Sequence, residues 1–341
     1  MKVRTCTKVN IGLNVLRKRP DGYHDLETLF VPYWGLGDVL TVEPAEELSI
    51  VIERDGGVDW DPMDDLTVRA WRLLKVDFPS LPAVSIRLQK GAPVGAGLGG
   101  GSADAAFMLR ALNELGGLGL SDSELAEYGA RLGSDCPFFV GMTPPKNEPT
   151  IPLHPQGTGG VPPETPCAGY GAACIRPMFA TGRGEILEPF DIDLSGYELW
   201  VELPLDAATG RPVAVSTREA YAGIVPRETL SLQAGPALGK GGENGRIFAE
   251  NPSEQGKYSS IGRDLAKKSS AMSGNPSELR EALKLPVEQW RGLVVNDFEA
   301  TVCPRHPEIQ ELIDDFYRRG AAYAAMSGSG SAVFGLTRRS T

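Results

Sequence analysis

A glycine-packed stretch between residues 93 and 106 constrains this chain more than any other part of its sequence. An alternating, strand-like segment precedes it (83–89), and a helix-like segment follows it (103–115). A strand that turns through glycines into a helix places free amide groups and the positive end of a helix dipole around one point. The pattern therefore predicts a cradle for an anion, and phosphate is the anion that fits it best. The stretch reads Pro93-Val94-Gly95-Ala96-Gly97-Leu98-Gly99-Gly100-Gly101-Ser102-Ala103-Asp104-Ala105-Ala106.

Two common glycine signatures fit this stretch poorly. Gly95, Gly97 and Gly100 satisfy the dinucleotide pattern G-x-G-x-x-G, but no second strand ending in an acidic residue follows about twenty positions later. The Walker pattern is absent as well, since its nearest imitation (235–241) has the wrong spacing and no hydroxyl residue.

Composition narrows the class of protein further. The 341 residues suffice for two domains, and the formal net charge of −10 argues against a broad nucleic-acid-binding face. No apolar stretch approaches membrane-spanning length, and the N-terminus lacks the apolar core of a signal peptide. Five scattered cysteines without a C-x-x-C pair indicate neither a disulfide framework nor a zinc site, which favours a reducing cytoplasm.

Periodicity predicts the regular elements on either side of the glycine stretch. Strands are expected at 3–16, at 38–53 (two strands), and at 321–326 and 332–336. Helices are expected at 65–76, at 121–132 behind the capping box of Ser121 and Glu124, and across the apolar face of 309–316, ending at Gly320. The glycine-serine loop at 327–331 fits a hairpin turn equally well as a second ligand loop.

Two irregular stretches interrupt this order. Residues 142–166 hold eight prolines, and residues 226–276 are rich in glycine, serine, proline and charge. Neither has the period of a helix or a central strand, so both are predicted to be surface insertions, at about 142–175 and 227–277. A lid function for either one stays open.

Several segments of the sequence, in the same order along the chain, resemble the motifs of one kinase superfamily. The glycine stretch is similar to the phosphate loop P-x-x-x-G-L-G-[GS]-[GS]-[SA]-A of the GHMP kinases. The segments 8–10 and 19–26 resemble the branch of that superfamily whose acceptor is a cytidine diphosphate-linked methylerythritol. Four further blocks match this branch in the same order, at 133–139, 181–185, 296–299 and 326–330.

The resemblance implies an α+β fold with two domains. A domain like the second domain of ribosomal protein S5 would occupy 1–190, and a ferredoxin-like domain would occupy 191–341. The active site would lie in the cleft between them.

The resemblance also implies the catalytic groups. Asp135 matches the residue that accepts the proton of the acceptor hydroxyl, and Lys8 matches the lysine that keeps this carboxylate ionised. From the residues alone, Asp135 fits a turn or cap, and Ser102 fits a helix N-cap. A lone lysine near an N-terminus is usually solvated, but the position of Lys8 inside an apolar strand weakens that interpretation. Ser102 would also reach a phosphate or a magnesium ion. The implied ATP-binding residues are Pro93, Val94, Gly95, Ala96, Gly97, Leu98, Gly99, Gly100, Gly101, Ser102 and Ala103.

The acceptor side is implied in the same way. Tyr23 and His24 match residues that hold the cytidine, Tyr221 matches a ring on the other face of the cytosine, and Thr217 would hydrogen-bond nearby. Asn10 would orient the phosphate or the reacting hydroxyl.

These expectations together predict a cytoplasmic kinase that uses ATP and Mg²⁺. It would phosphorylate the 2-hydroxyl of the cytidine diphosphate-linked methylerythritol in the non-mevalonate route to isoprenoids. The predicted protein is a monomer or homodimer that binds neither nucleic acid nor membrane, and its metal ligands are left open. The alternatives are another GHMP small-molecule kinase, acting on homoserine, mevalonate or a sugar, and a nucleotide-binding regulator without turnover.

Overall fold

The computed structural model of the chain describes residues 1–142, 177–228 and 277–339. Both insertions predicted at about 142–175 and 227–277 lie almost wholly outside these described residues, as does the imitation Walker segment. The described chain forms three β-sheets with helices packed against them. Strands and helices occur in one mixed architecture, in agreement with the predicted α+β class.

The first sheet carries the strand that leads into the glycine stretch. Its strand order is β1-β4-β6-β5, in which only the β5–β6 pair is parallel. Its strands are β1 (Lys2–Arg4), β4 (Val39–Ala45), β5 (Ser49–Glu53) and β6 (Ala83–Gln89). Alternate residues of β6 are buried, as the sequence pattern predicts for a strand with one face on a core.

Four helices cover this sheet and enclose the first core with it. They are α1 (Leu66–Asp77), α2 (Gly100–Gly116), α3 (Asp122–Leu132) and α4 (Cys136–Val140). The capping box forms as predicted, because Ser121 accepts from the Glu124 amide while the Glu124 carboxylate accepts from the Ser121 amide. Short 3₁₀ turns occur at Pro62–Asp64 and Val287–Gln289.

Helix α2 corrects two details of the prediction. It begins at Gly100, three residues before the expected start, and its N-cap is Gly99 and not Ser102. Gly99 has a φ of +73°, which lets the chain turn into the helix, and its carbonyl accepts the amide of Ala103 at 2.9 Å. Ser102 is consequently the third residue of the helix and not its cap.

The second sheet is antiparallel and has the order β2-β3-β7-β8. Its strands are β2 (Thr7–Lys18), β3 (His24–Tyr33), β7 (Met178–Thr181) and β8 (Ile186–Pro189). β2 and β3 form a long hairpin that is buried for most of its length, so polar residues on β2 can lie inside the molecule.

The third sheet belongs to the C-terminal part, with the order β10-β11-β9, all antiparallel. Its strands are β9 (Tyr197–Glu202), β10 (Tyr323–Met326) and β11 (Val333–Arg338). The remaining helices of the described residues are α5 (Thr217–Ala222), α6 (Glu278–Leu283), α7 (Glu299–Val302) and α8 (Pro307–Arg318). Helix α8 packs on this sheet through the predicted apolar face.

The first two sheets lie within 1–190 and the third within 191–341. The two parts also touch, since Leu13 of β2 forms a bridge with Asn296. The boundary near residue 190 stays a prediction. Within the described ranges, no helix combines the length and the apolar character needed to cross a membrane.

Candidate active site

The glycine stretch forms a loop between β6 and α2. The N-cap Gly99 has no side chain to bond the amides of the first helical turn, so these amides remain available to a ligand. Residues 93–102 all line a cleft of about 570 Å³. The loop thus presents backbone N–H groups and a helix N-terminus to one cavity, which is the arrangement that binds phosphate.

Lys8 lies beneath this loop on β2. Its side chain is only 4% exposed, and its Nζ donates to the Asn10 side-chain oxygen and, at 2.9 Å, to the Gly97 carbonyl. Burial lowers the pKa of Lys8, and the nearby Asp135 carboxylate opposes that effect. Lys8 is therefore a fixed cation inside the cleft and not a solvated surface lysine.

Asp135 reaches the same point from the turn before α4. Its Oδ2 lies 3.6 Å from Lys8 Nζ, and 28% of its side chain is exposed. The residue occupies the N-cap position of α4, but its carboxylate makes no capping hydrogen bond. The alternative of a cap therefore does not account for this side chain, which lines the cleft.

The glycine-serine loop between β10 and β11 is both a hairpin turn and a wall of the site. Ser327 Oγ donates to the Gly97 carbonyl at 3.2 Å and accepts from the backbone N–H of Asn10 at 3.2 Å. Its neighbours Gly328 and Ser329 line the cleft. The approach is so close that a Cβ on Gly97, whose φ is +76°, would lie 2.1 Å from the Ser327 carbonyl oxygen.

Two residues of the 296–299 block hold that hairpin loop. The Asn296 side-chain amide donates to the carbonyls of Met326 and Gly328, both at 2.8 Å, and Glu299 accepts from the Met326 amide at 2.8 Å. Burial raises the pKa of Glu299 to about 7, the Met326 N–H opposes this, and the charge of Asp297 adds to it. The sequence analysis identified the 296–299 block but did not predict its contact with the hairpin loop.

A buried charged cluster, which the sequence did not reveal, supports the start of the glycine loop. Lys90 bonds Asp38 and, at 2.7 Å, Asp104, and all three side chains are nearly inaccessible. Asp38 Oδ1 also accepts the amides of Gly91 and Ala92 at 2.7 Å each. Burial and the charge of Asp38 raise the pKa of Asp104, against the effect of Lys90. No local pattern signals this cluster, because its members are far apart in the sequence: Asp38 precedes β4, Lys90 follows β6, and Asp104 lies in α2.

The predicted acceptor residues divide into two groups. Tyr221 lines the cleft, and the His24 ring stacks on it with a centroid separation of 4.8 Å. Burial raises the pKa of Tyr221 to about 12, and the charge of Asp135, which lines the same cleft, adds to this. Thr217 lines the cleft as well, with its hydroxyl 3.4 Å from Ser329 Oγ.

Tyr23 lies outside the cleft lining, and 57% of it is exposed. The guanidinium of Arg183 lies 5.0 Å from the centre of its ring. Ala103 does not line the cleft either, because it is fully buried in α2. The predicted residues that do line it are Lys8, Asn10, 93–102, Asp135, Thr217 and Tyr221.

The catalytic and phosphate-binding candidates thus converge on one cleft, and comparison with known proteins identifies its family. The model "GHMP kinases N terminal domain" matches residues 65–141, and "GHMP kinases C terminal" matches residues 269–341. A 4-diphosphocytidyl-2-C-methyl-D-erythritol kinase of Bacteroides fragilis is 37% identical over 96% of this chain and 89% of its own length. The chain belongs to the 4-diphosphocytidyl-2-C-methyl-D-erythritol kinase family.

Other members of this kinase family match this chain over a similar share of its length. The relative from Parabacteroides distasonis is 35% identical over 98% of this chain and 90% of its own length. A crystal structure of 4-(cytidine 5'-diphospho)-2C-methyl-D-erythritol kinase is 26% identical, with a TM-score of 0.58, over 98% of this chain and 90% of that one. A mevalonate kinase structure at 12% identity and a TM-score of 0.51 shares the fold alone. The predicted superfamily, branch and GHMP kinase fold are confirmed, and kinases of this family use ATP.

Proposed function

We propose that this chain transfers the γ-phosphoryl group of ATP to the 2-hydroxyl of 4-diphosphocytidyl-2-C-methyl-D-erythritol. The observation that carries the proposal is the Lys8–Asp135 pair at 3.6 Å, in the cleft that the glycine loop lines, in a chain of this kinase family. Phosphoryl transfer needs neutralised phosphates, an aligned nucleophile and an acceptor for its proton. The cleft holds groups for each of these tasks.

The donor nucleotide would lie against the glycine loop. The free amides at the start of α2 face its phosphates, and Ser102 adds a hydroxyl at the same place. The buried Lys90 cluster keeps the loop's first residues in position. The Lys90 charge pairs with Asp38 and Asp104 and not with the ligand. The loop therefore binds phosphate mainly through its backbone.

The reaction would proceed at Asp135. Its carboxylate takes the proton of the 2-hydroxyl as the oxygen attacks the γ-phosphorus, and the bond from that phosphorus to the bridging oxygen breaks to release ADP. Lys8 pairs with Asp135 at 3.6 Å and adds positive charge beside the reacting oxygen. Asn10, bonded to Lys8 and to Thr28 Oγ1 at 3.1 Å, keeps the ammonium in place.

Magnesium would arrive with ATP. Among the residues that the structure describes, no three His, Cys, Asp or Glu side chains are grouped to hold a metal. Mg²⁺ commonly takes its ligands from substrate phosphates and water with one or two protein oxygens, and the Ser102 hydroxyl is such an oxygen beside the loop. When bound, the ion neutralises phosphate charge. We also propose a cytoplasmic enzyme, active as a monomer or homodimer.

The test is ADP release from ATP with and without Mg²⁺, using four acceptors in parallel. They are 4-diphosphocytidyl-2-C-methyl-D-erythritol, homoserine, mevalonate and galactose. We expect turnover with the first compound alone. Turnover with another acceptor would retain the phosphate loop and the base but refute the proposed acceptor, and silence on all four with ATP still bound would indicate a regulator.

A further inference from the structure

Three cations among the described residues line the cleft, and two of them are held by protein groups. Lys8 bonds Asn10 and the Gly97 carbonyl and pairs with Asp135, while Lys90 is buried between two carboxylates. The third cation is Arg183, whose side chain is 31% exposed. Its ion pair is a single 3.5 Å contact from Nε to Glu185. Arg183 is thus the cleft cation best able to meet an anionic ligand.

Arg183 lies on the turn between β7 and β8, beside the candidate base. A Cβ on the next residue, Gly184, would lie 3.6 Å from Asp135 Oδ1, so this turn forms the wall next to that carboxylate. On its other side the guanidinium covers the ring of Tyr23, whose neighbour His24 stacks on Tyr221. The turn that carries Arg183 therefore lies next to the candidate base on one side, and the guanidinium contacts Tyr23, the neighbour of His24, on the other.

We propose that Arg183 binds the diphosphate that links the cytidine to the sugar alcohol of the acceptor, and that Tyr23 positions Arg183. This inference rests on the proposed function. An acceptor with its hydroxyl at Asp135 and its base at Tyr221 must carry its diphosphate past this turn. A guanidinium stacked on a ring keeps its N–H edge directed outward, and that edge matches phosphate oxygens in a two-bond geometry.

The proposal changes the predicted role of Tyr23. The exposed ring contacts Arg183, and its apolar face orients the guanidinium without competing for its hydrogen-bond donors. Arg183 then contributes to specificity, because homoserine, mevalonate and sugars have no diphosphate to bind it.

The experiment distinguishes binding of the diphosphate from binding of the cytosine. With the donor site saturated by a non-hydrolysable ATP analogue, cytidine and CDP are titrated calorimetrically into native protein, Arg183→Met and Arg183→Lys. The matched control is Arg87→Met, since Arg87 is also exposed and pairs with Glu53 at 3.4 Å, but on the first sheet away from the cleft. We expect Arg183→Met to lower the affinity for CDP about 10-fold or more, corresponding to about 1.4 kcal/mol, and to leave the affinity for cytidine unchanged.

The lysine variant should bind CDP with intermediate affinity, because it keeps the charge but not the planar donor pair. In turnover, Arg183→Met should raise the KM of the acceptor and leave the KM of ATP near its native value. The acceptor KM of the native protein should also rise more steeply with salt than that of the variant.

Several results would overturn the proposal. They are equal loss of cytidine and CDP affinity, a raised KM for ATP alone, no difference from Arg87→Met, or no CDP binding by the native protein. Failure of the native protein to phosphorylate the cytidine-linked acceptor would instead refute the proposed function, and the CDP and cytidine titrations would still judge Arg183.

Discussion

Lys8 Nζ lies 3.6 Å from Asp135 Oδ2, and the two side chains differ sharply in exposure, at 4% and 28%. The lysine is anchored by Asn10 and by the Gly97 carbonyl, whereas the carboxylate faces the cleft. An anchored cation beside an accessible carboxylate suits a base that takes a proton from a bound hydroxyl. The pair ties catalysis to the glycine loop, because Gly97 belongs to both.

Asp135→Asn should lower kcat about 10²- to 10⁴-fold, since the amide cannot accept the hydroxyl proton. ATP affinity should stay near native, because the loop amides that face the phosphates are unchanged. Steady-state kinetics and calorimetric titration of ATP measure the two quantities. Asp122→Asn, on the exposed start of α3, is the control. Near-native kcat in Asp135→Asn would exclude Asp135 as the base.

Gly97→Ala should destabilise the fold for two reasons: the new Cβ would clash with a neighbouring loop, and alanine disfavours the positive φ of this position. The new Cβ would lie 2.1 Å from the Ser327 carbonyl oxygen, at a φ of +76°. Gly95→Ala is the matched control, since its φ is +70° but no atom lies within 4 Å of its Cβ position. The clash should make Gly97→Ala less stable than Gly95→Ala by about 1–3 kcal/mol in urea unfolding. Equal stability of the two variants would show that the loops are not tightly packed.

Tyr221→Ala should raise the KM of the cytidine-linked acceptor about 10-fold or more, since base stacking contributes about 1–3 kcal/mol. Saturated turnover should change less, because the ring acts in binding. Tyr221→Phe keeps the ring and its contact with His24, so its KM should be near native. An unchanged KM in the alanine variant would place the cytosine elsewhere.

Glu299→Gln should alter how stability depends on pH. Burial raises the pKa of Glu299 from an ordinary value of 4.5 to about 7. Between these values the unfolded chain releases the proton and the folded chain keeps it, so native stability falls as pH rises, by up to about 3 kcal/mol. Glutamine cannot ionise and still offers an oxygen to the Met326 amide.

The variant should therefore exceed the native protein in stability at pH 8 and match it near pH 4.5. Urea unfolding across this range measures the difference, with Glu311→Gln, on the exposed side of α8, as the control. A native-to-variant difference that is constant with pH would contradict the raised pKa.

The local structure around the phosphate site follows from the sequence alone. Strand β6 has its predicted bounds, and α3 begins behind the capping box of Ser121, because alternation and capping depend on residues within one or two turns of each other. The start of α2 differed by three residues, because glycines at 100 and 101 adopt helical dihedrals that their intrinsic propensity does not favour. The family motifs singled out Lys8 and Asp135 as the candidate catalytic residues.

The contacts between residues that are distant in the sequence depend on tertiary packing. The register of β2 on β3, the bridge from Leu13 to Asn296 and the packing of the C-terminal hairpin loop bring the site's walls together. The same packing buries Lys90 between two carboxylates and places Arg183 on Tyr23. Such contacts depend on how whole sheets pack. The partner of a charged side chain is therefore known only from the folded structure. The sequence therefore fixes the chemistry available, and the packing of its sheets decides which charges remain for the ligand.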